Sequence, residues 1–171
     1  PYPVFVYCGL VPWTYFTHAL NKSTYSLVDY SHLITKVYVP RLIIPLSTVL
    51  AGFLDFVVSF VILVAMMIYF GATPSTNIVF LPLYVAMTVA VGFGVGLWLA
   101  ALNIQYRDVM NALPFLTQLW FFLTPVTYAG SLIPEQWRLV YQLNPMAGVV
   151  QGFRWVLLGD ANSTPDLTLL A

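Results

Sequence analysis

The sequence predicts an all-α integral membrane protein, a polytopic helix bundle, and three observations carry that prediction. Of its 171 residues, 60% are hydrophobic and only 7% are charged, and the mean hydropathy is +0.86. A water-soluble domain carries about 25% charged residues, so this chain cannot cover a soluble surface. Apolar runs recur at 2–20, 42–70, 78–102 and 112–130, each near the ~20 residues a helix needs to cross a ~30 Å hydrocarbon layer. Basic residues alternate between the connections. Residues 21–41 hold Lys22, Lys36 and Arg41, 103–111 holds Arg107, and 71–77 holds none. By the positive-inside rule, 21–41 and 103–111 face the cytoplasm, and 71–77 and the stretch after 130 face outward.

Taken in order, the first span contains Pro12, and the fourth contains Pro114 and Pro125. A proline removes one intrahelical bond, which a membrane tolerates where neighbours satisfy the backbone again, so these spans are expected to pack in a bundle. After the first span, Leu27, Tyr30, Ile34 and Val37 recur at helical spacing, with Asp29, His32, Thr35 and Lys36 on the remaining positions. This predicts a short amphipathic helix at the cytoplasmic surface over about 25–38. It is either a plain surface helix or a lever pressed by a soluble partner. The 42–70 run is long enough to tilt or to begin in the interface before Pro45. In the third span, Gly92 and Gly96 lie four apart, the spacing that lets two helices approach closely.

The stretch 131–159 fits no simple span. It breaks at Asn144-Pro145, a good N-cap followed by proline at the first helical position. That divides it into short helices at about 134–143 and 145–158, with Trp137, Tyr141 and Trp155 at headgroup depth and Arg154 in the second. They read as external re-entrant helices or as an interfacial cap.

Chemistry is scarce. There is no nucleophile elbow, zinc-protease motif or phosphate-binding loop, and no carboxylates are paired one helical turn apart within a span. The single Cys8 excludes an internal disulfide, and a net charge of zero argues against nucleic-acid binding. No metal site and no cofactor are expected on this chain. Asp55 is the one ionisable residue deep within a span. A central carboxylate costs about 2.5–3.5 kcal/mol on insertion scales, so Asp55 should face protein or water, as a lining residue or as a hydrogen-bonded packing residue. Aromatic residues crowd the first and fourth spans: Trp13, Tyr15 and Phe16, then Trp120, Phe121 and Phe122. Such rings suit sliding contact with sugars or simply face lipid. Between the third and fourth spans, "NIQYRDVMNALPF" makes a tight cytoplasmic turn in which Asn103, Arg107 and Asp108 can satisfy helix ends or touch a moving partner.

Several segments together resemble the permease subunits of ABC transporters that export polysaccharide, the O-antigen, capsule and teichoic acid exporters. They are "GLVPWTYF" (9–16), "LITKVYVPRLIIPL" (33–46), "LWLAALNIQYRDV" (97–109), "ALPFLTQLWFFLTPVTY" (112–128) and "LNPMAGVVQGFRWVLLG" (143–159). The resemblance implies six spans in the full protein, four of them here, with 2–20 as the second and 112–130 as the fifth. The opening "PYPVF", without Met, and the close "TPDLTLLA", like the start of another apolar run, give the same expectation of a longer protein. The resemblance further implies a homodimer in the cytoplasmic (inner) membrane, paired with a separate subunit that binds ATP and Mg. Its substrate would be a lipid-linked glycan. Asp29, His32, Leu33, Ile34, Thr35 and Lys36 would then couple to the ATPase, and Asn103, Arg107 and Asp108 would form a cytoplasmic gate. Trp13, Tyr15, Phe16, Asp55, Trp120 and Phe121 would line the glycan channel. Trp137, Asn144, Pro145 and Arg154 would belong to external re-entrant helices roofing it. The alternatives are an ABC exporter of lipid or drug, and a membrane scaffold without transport activity.

Overall fold

The computed structural model describes residues 2–29, 40, 43–72, 75–106, 108–127, 141 and 143–159. Among these the regular elements are all helical. They are α1 (Tyr2–Asp29), α2 (Ile43–Ala51), α3 (Phe53–Tyr69), a 3-10 turn (Thr76–Phe80), α4 (Leu81–Gln105), α5 (Asp108–Leu123) and α6 (Pro145–Leu158).

Helix α1 is the central post and touches every other described α-helix. It runs to Asp29, beyond the predicted end at residue 20, so residues 25–29 of the expected surface helix continue the same rod of about 42 Å. The rest of that surface helix, including His32, Leu33, Ile34, Thr35 and Lys36, lies outside the described residues. Pro12 sits inside α1, and hydroxyls along the helix bond back to its own carbonyls: Thr14 to Val11, Thr24 to Leu20 and Ser26 to Ser23. Polar side chains that satisfy themselves in this way are tolerated in an apolar setting.

Among the described residues two stretches are long and apolar enough to cross a membrane, Ile43–Tyr69 and Thr76–Gln105. The first is α2 and α3 joined nearly in line at Gly52, whose amide still reaches the Thr48 carbonyl while Phe56 reaches back to Gly52. Gly71, at φ 67°, ends this rod in the left-handed region that glycine enters without strain. Ser75 then caps the 3-10 turn through its hydroxyl, which accepts from the Asn77 amide at 3.3 Å.

Helix α5 departs from its predicted span. It begins at Asp108 and ends at Leu123, so its 16 residues reach only about 24 Å. Thr124–Thr127 form a turn that places Pro125 beyond the helix rather than within it. Asp108 opens α5, where a carboxylate complements the helix dipole.

Helix α6 forms where the Asn144-Pro145 signal places it, and Gly159, at φ 63°, closes it. It is no wet interfacial helix. Met146, Ala147, Val149, Val150, Gly152, Phe153, Arg154, Val156 and Leu157 are all buried. The Ser75 amide donates to the Leu157 carbonyl at 3.2 Å. At the other end of α6, Asn144 meets the end of α5. Helix α6 therefore ties the α3–α4 connection to the end of α5, across one end of the bundle. The earlier short helix, with Trp137, lies outside the described residues.

Candidate functional site

The seam between α1 and α4 is made of small residues. A Cβ added at Gly96 would lie 2.5 Å from the Ser23 Cβ, and one at Gly92 would lie 3.0 Å from the Ala19 Cβ. The four-residue glycine spacing thus does what it predicts, letting the two backbones close. At the far end of the seam Asn103 is fully buried and its side-chain amide donates to the Thr24 carbonyl at 3.2 Å. This corrects its place in the predicted turn: Asn103 is inside α4 and pins it to α1. The turn itself is shorter, with extended Tyr106 leaving α4 and Asp108 beginning α5. Asp108 is exposed there. Arg107 lies outside the described residues.

The aromatic residues expected to line a channel are placed differently. Trp13, Tyr15 and Phe16 are at most 5% exposed. Phe16 packs edge-on against Trp120 at 5.1 Å between ring centres, Trp13 meets Phe121 at 5.5 Å, and the Tyr15 hydroxyl donates to the Val49 carbonyl at 3.1 Å. These three rings are therefore core, joining α1 to α5 and α2, and not an open wall for a sliding chain. Trp120 and Phe121 are half-buried. The reason is aromatic area: a ring on the central post loses most water by meeting another ring.

Asn144 is a fourfold junction. Its carbonyl oxygen accepts from the Trp120 Nε1 at 2.9 Å and the Met146 amide at 3.1 Å, and its amide donates to the Leu123 carbonyl and the Thr124 hydroxyl. One side chain caps α6 and fastens it to α5. Arg154 does the same on a larger scale. It is 1% exposed and donates to the carbonyls of Phe5, Pro125 and Val126, with its guanidinium 3.8 Å from the Phe5 ring centre. Burial lowers Arg154 from 12.5 to about 10, which leaves it charged at neutral pH. Arg154 is thus an internal clamp rather than a charge exposed on the outer face.

Two grooves remain open. An apolar one of about 490 Å³ runs between α4 and α5, past Trp98, Leu99, Leu116 and Trp120, to Asn144. The other lies between α1 and the α2–α3 rod and mixes apolar with ionisable side chains. Its inner part, about 220 Å³, is lined by Thr14, Tyr15, His18, Gly52, Asp55, Phe56 and Ser59. Its outer part, about 290 Å³, adds Lys22, Ser26, Asp29, Thr48 and Ala51 and shares His18 and Asp55. A Cβ at Gly52 would sit 2.3 Å from the His18 Nδ1, so only glycine admits the imidazole there. That Nδ1 is buried without a partner among the described residues. Asp55 is exposed to this groove rather than packed. Sequence reasoning singled out Asp55 but missed His18 and Lys22. The signal was present in the spacing of Thr14, His18, Lys22, Ser26 and Asp29, roughly one per turn.

A bundle of apolar helices around a post with internal polar clamps defines a helical membrane protein. Comparison with known proteins places it more closely: the chain belongs to the ABC-2 type transporter family, whose model matches residues 5–158. It is therefore similar to the membrane subunits of such transporters. It is 32% identical over 170 residues to the O-antigen export system permease protein RfbA of Klebsiella pneumoniae, covering 99% of this chain and 66% of that protein. It is 30% identical over 155 residues to the protein of the same name from Myxococcus xanthus, covering 90% of this chain and 60% of that one. The chain thus spans just under two thirds of the length of these relatives.

Proposed function

We propose that this chain forms the membrane path of an ABC exporter that moves a lipid-linked polysaccharide outward across the cytoplasmic membrane. The likeness over nearly the whole chain to permeases named for O-antigen export carries this reading. In it the full protein has six spans, four of them here, and works as a homodimer with a separate subunit that hydrolyses ATP. The residues at 29 and 32–36 meet that subunit, and 107–108 lie on the same cytoplasmic face. Because Asp29 ends the rod that touches every other described α-helix, a push on the segment following it reaches the whole bundle through α1. Such a push shifts the bundle only if the ATPase contacts its two states with different strength. Helix α6, clamped by Asn144 and Arg154, closes the opposite end and roofs the path.

The test uses the full-length protein with the ATPase encoded beside it. The expected results are a stable complex, ATPase stimulation by the permease, and restored surface polysaccharide in a producing strain that lacks its own permease. Absence of both complex and stimulation would reject a transporter. Stimulation without surface polysaccharide would favour a lipid or drug exporter.

A further inference from the structure

We infer that Gly52 is a working hinge about which α2 swings relative to α3, and that Tyr15 and His18 of α1 are its pin. The inference rests on the ATPase-driven reading above and names the element that yields when the cytoplasmic face is pushed.

A hinge needs a residue that absorbs a change in backbone angles, and the α2–α3 rod is weakest at Gly52. Its φ is −67° and its ψ −12°, about 30° from the helical ψ. Its amide reaches the Thr48 carbonyl only at 3.4 Å, longer than an ordinary backbone bond. Two side chains of α1 occupy the break. The Tyr15 hydroxyl donates to the Val49 carbonyl of α2 at 3.1 Å, while its ring meets Phe53 and Phe56 of α3 at 6.3 and 5.4 Å between centres. One residue thus straddles both arms. One turn further along α1, the His18 imidazole fills the space that a Cβ at position 52 would take. Its Nδ1 is buried with no hydrogen-bond partner among the described residues. Shape seats that edge of the ring, so it can turn or slide without breaking a bond at Nδ1.

The two arms are held unequally. Of α2 only Pro45 and Val49 are buried, and Ile43, Leu46 and Leu50 are exposed. Helix α3 buries Phe56, Leu63 and Met67. Phe56 also meets the Phe153 ring of α6 edge-on at 6.4 Å, so α3 belongs to the clamped frame. Room to move lies beside α2: the outer part of the groove, about 290 Å³, has Thr48 and Ala51 on one wall and Lys22, Ser26 and Asp29 on the other. Residues 30–42 join the end of α1 to the start of α2, so a push on them loads α2 directly. The tip of α2 at Ile43 is nine residues from Gly52, a lever of about 14 Å. A bend of about 20°, the size of an ordinary helix kink, moves that tip by about 4–5 Å.

The test uses full-length permease assembled with its ATPase in lipid nanodiscs, with every cysteine replaced, Cys8→Ala included. Spin labels at Ile43→Cys and Ile104→Cys read α2 against the end of α4. Labels at Ile68→Cys and Leu83→Cys read α3 against the start of α4, and all four positions are exposed. Labelled chain is diluted with unlabelled chain so that each complex carries one pair. Between the nucleotide-free and the ATP–vanadate-trapped complex, the first separation should change by about 2 Å or more and the second by less than about 1 Å. The double substitution His18→Ala, Gly52→Ala removes ring and notch together and leaves a better helix former at the break. It should assemble with the ATPase and keep its denaturation midpoint, yet abolish the first distance change and lower ATPase stimulation several-fold. Gly94→Ala, where a Cβ meets nothing within 4 Å, should leave both readings unchanged. A merely structural glycine would instead lower the midpoint of the double variant and leave the distance change intact. An Ile43–Ile104 separation that ignores nucleotide in a complex whose ATPase is stimulated overturns the hinge alone. So does a double variant that keeps both the change and the stimulation. If the unsubstituted permease neither binds nor stimulates the ATPase, the transporter reading falls and the hinge with it. If the double variant fails to assemble, the two separations in the unsubstituted complex decide.

Discussion

The two sides of α1 carry residues at the same turn-by-turn spacing but follow different chemistry. Toward α4 the side chains are small: Ala19 and Ser23 meet Gly92 and Gly96, with Asn103 bonded to the Thr24 carbonyl beyond them. Toward α2 and α3 they are mixed, Tyr15 with Thr14, His18, Lys22, Ser26 and Asp29, and Gly52 makes room for one imidazole rather than for a backbone. The first side is closed to water and holds the bundle together through close backbone packing. The second packs through Tyr15 against Val49, Phe53 and Phe56 and beyond them leaves a groove onto which Lys22, Asp29 and Asp55 open. A single helix thus serves as the structural post on one side and as the wall of a groove on the other. Substitutions on the two sides should therefore differ in what they cost in stability.

The largest loss is expected from Arg154→Met, where the packed side of α1 meets α6 beside Phe5 and Gly9. Three buried carbonyls lose a charged donor, at a cost of about 3 kcal/mol or more. The check is the denaturation midpoint of the full-length complex in detergent. Gly96→Leu comes next, since even a Cβ there meets Ser23 at 2.5 Å. Overpacking should cost about 1–3 kcal/mol, and a double substitution with Ser23→Gly should recover part of it. Asn103→Leu removes the 3.2 Å bond to Thr24 and should cost about 1 kcal/mol. On the groove side, Lys22→Gln and Thr48→Val should change stability by less than about 0.5 kcal/mol. If the groove-side variants destabilise as much as Gly96→Leu, the groove is a packing interface and the contrast between the two sides is lost.

The parts of the fold readable in the sequence are those that depend on neighbours along the chain. Ile43–Tyr69 is an almost continuous rod because helical bonding carries on across Gly52. The Asn144-Pro145 pair starts α6 because cap and proline act within one turn. Gly92 and Gly96 announce a close partner without saying which helix it is. The candidate site was less legible. Trp13, Tyr15 and Phe16 look alike whether they face a sugar, a lipid or another ring, and only their contacts with Phe121, Val49 and Trp120 place them in the core. Arg154 reads as a charge on an external helix until its bonds to the carbonyls of Phe5, Pro125 and Val126 are seen. Asn103 reads as a turn residue because it lies beside Arg107 and Asp108, whereas α4 carries it inward toward Thr24.

The sequence by itself determined that this is a bundle of apolar helices, that one of them starts at Asn144-Pro145, and which glycines invite close packing. These follow from composition, periodicity and capping, all of them short-range. Only the tertiary structure decided which side of α1 is closed and which is open. It also turned a predicted external charge into the clamp that holds α6, and it set His18, Lys22, Asp29 and Asp55 along one groove. Those outcomes depend on which residues meet across distances of up to 149 positions in the chain, as Arg154 and Phe5 do. The pattern along a helix gives the direction of each side chain but not the identity of the helix it will face.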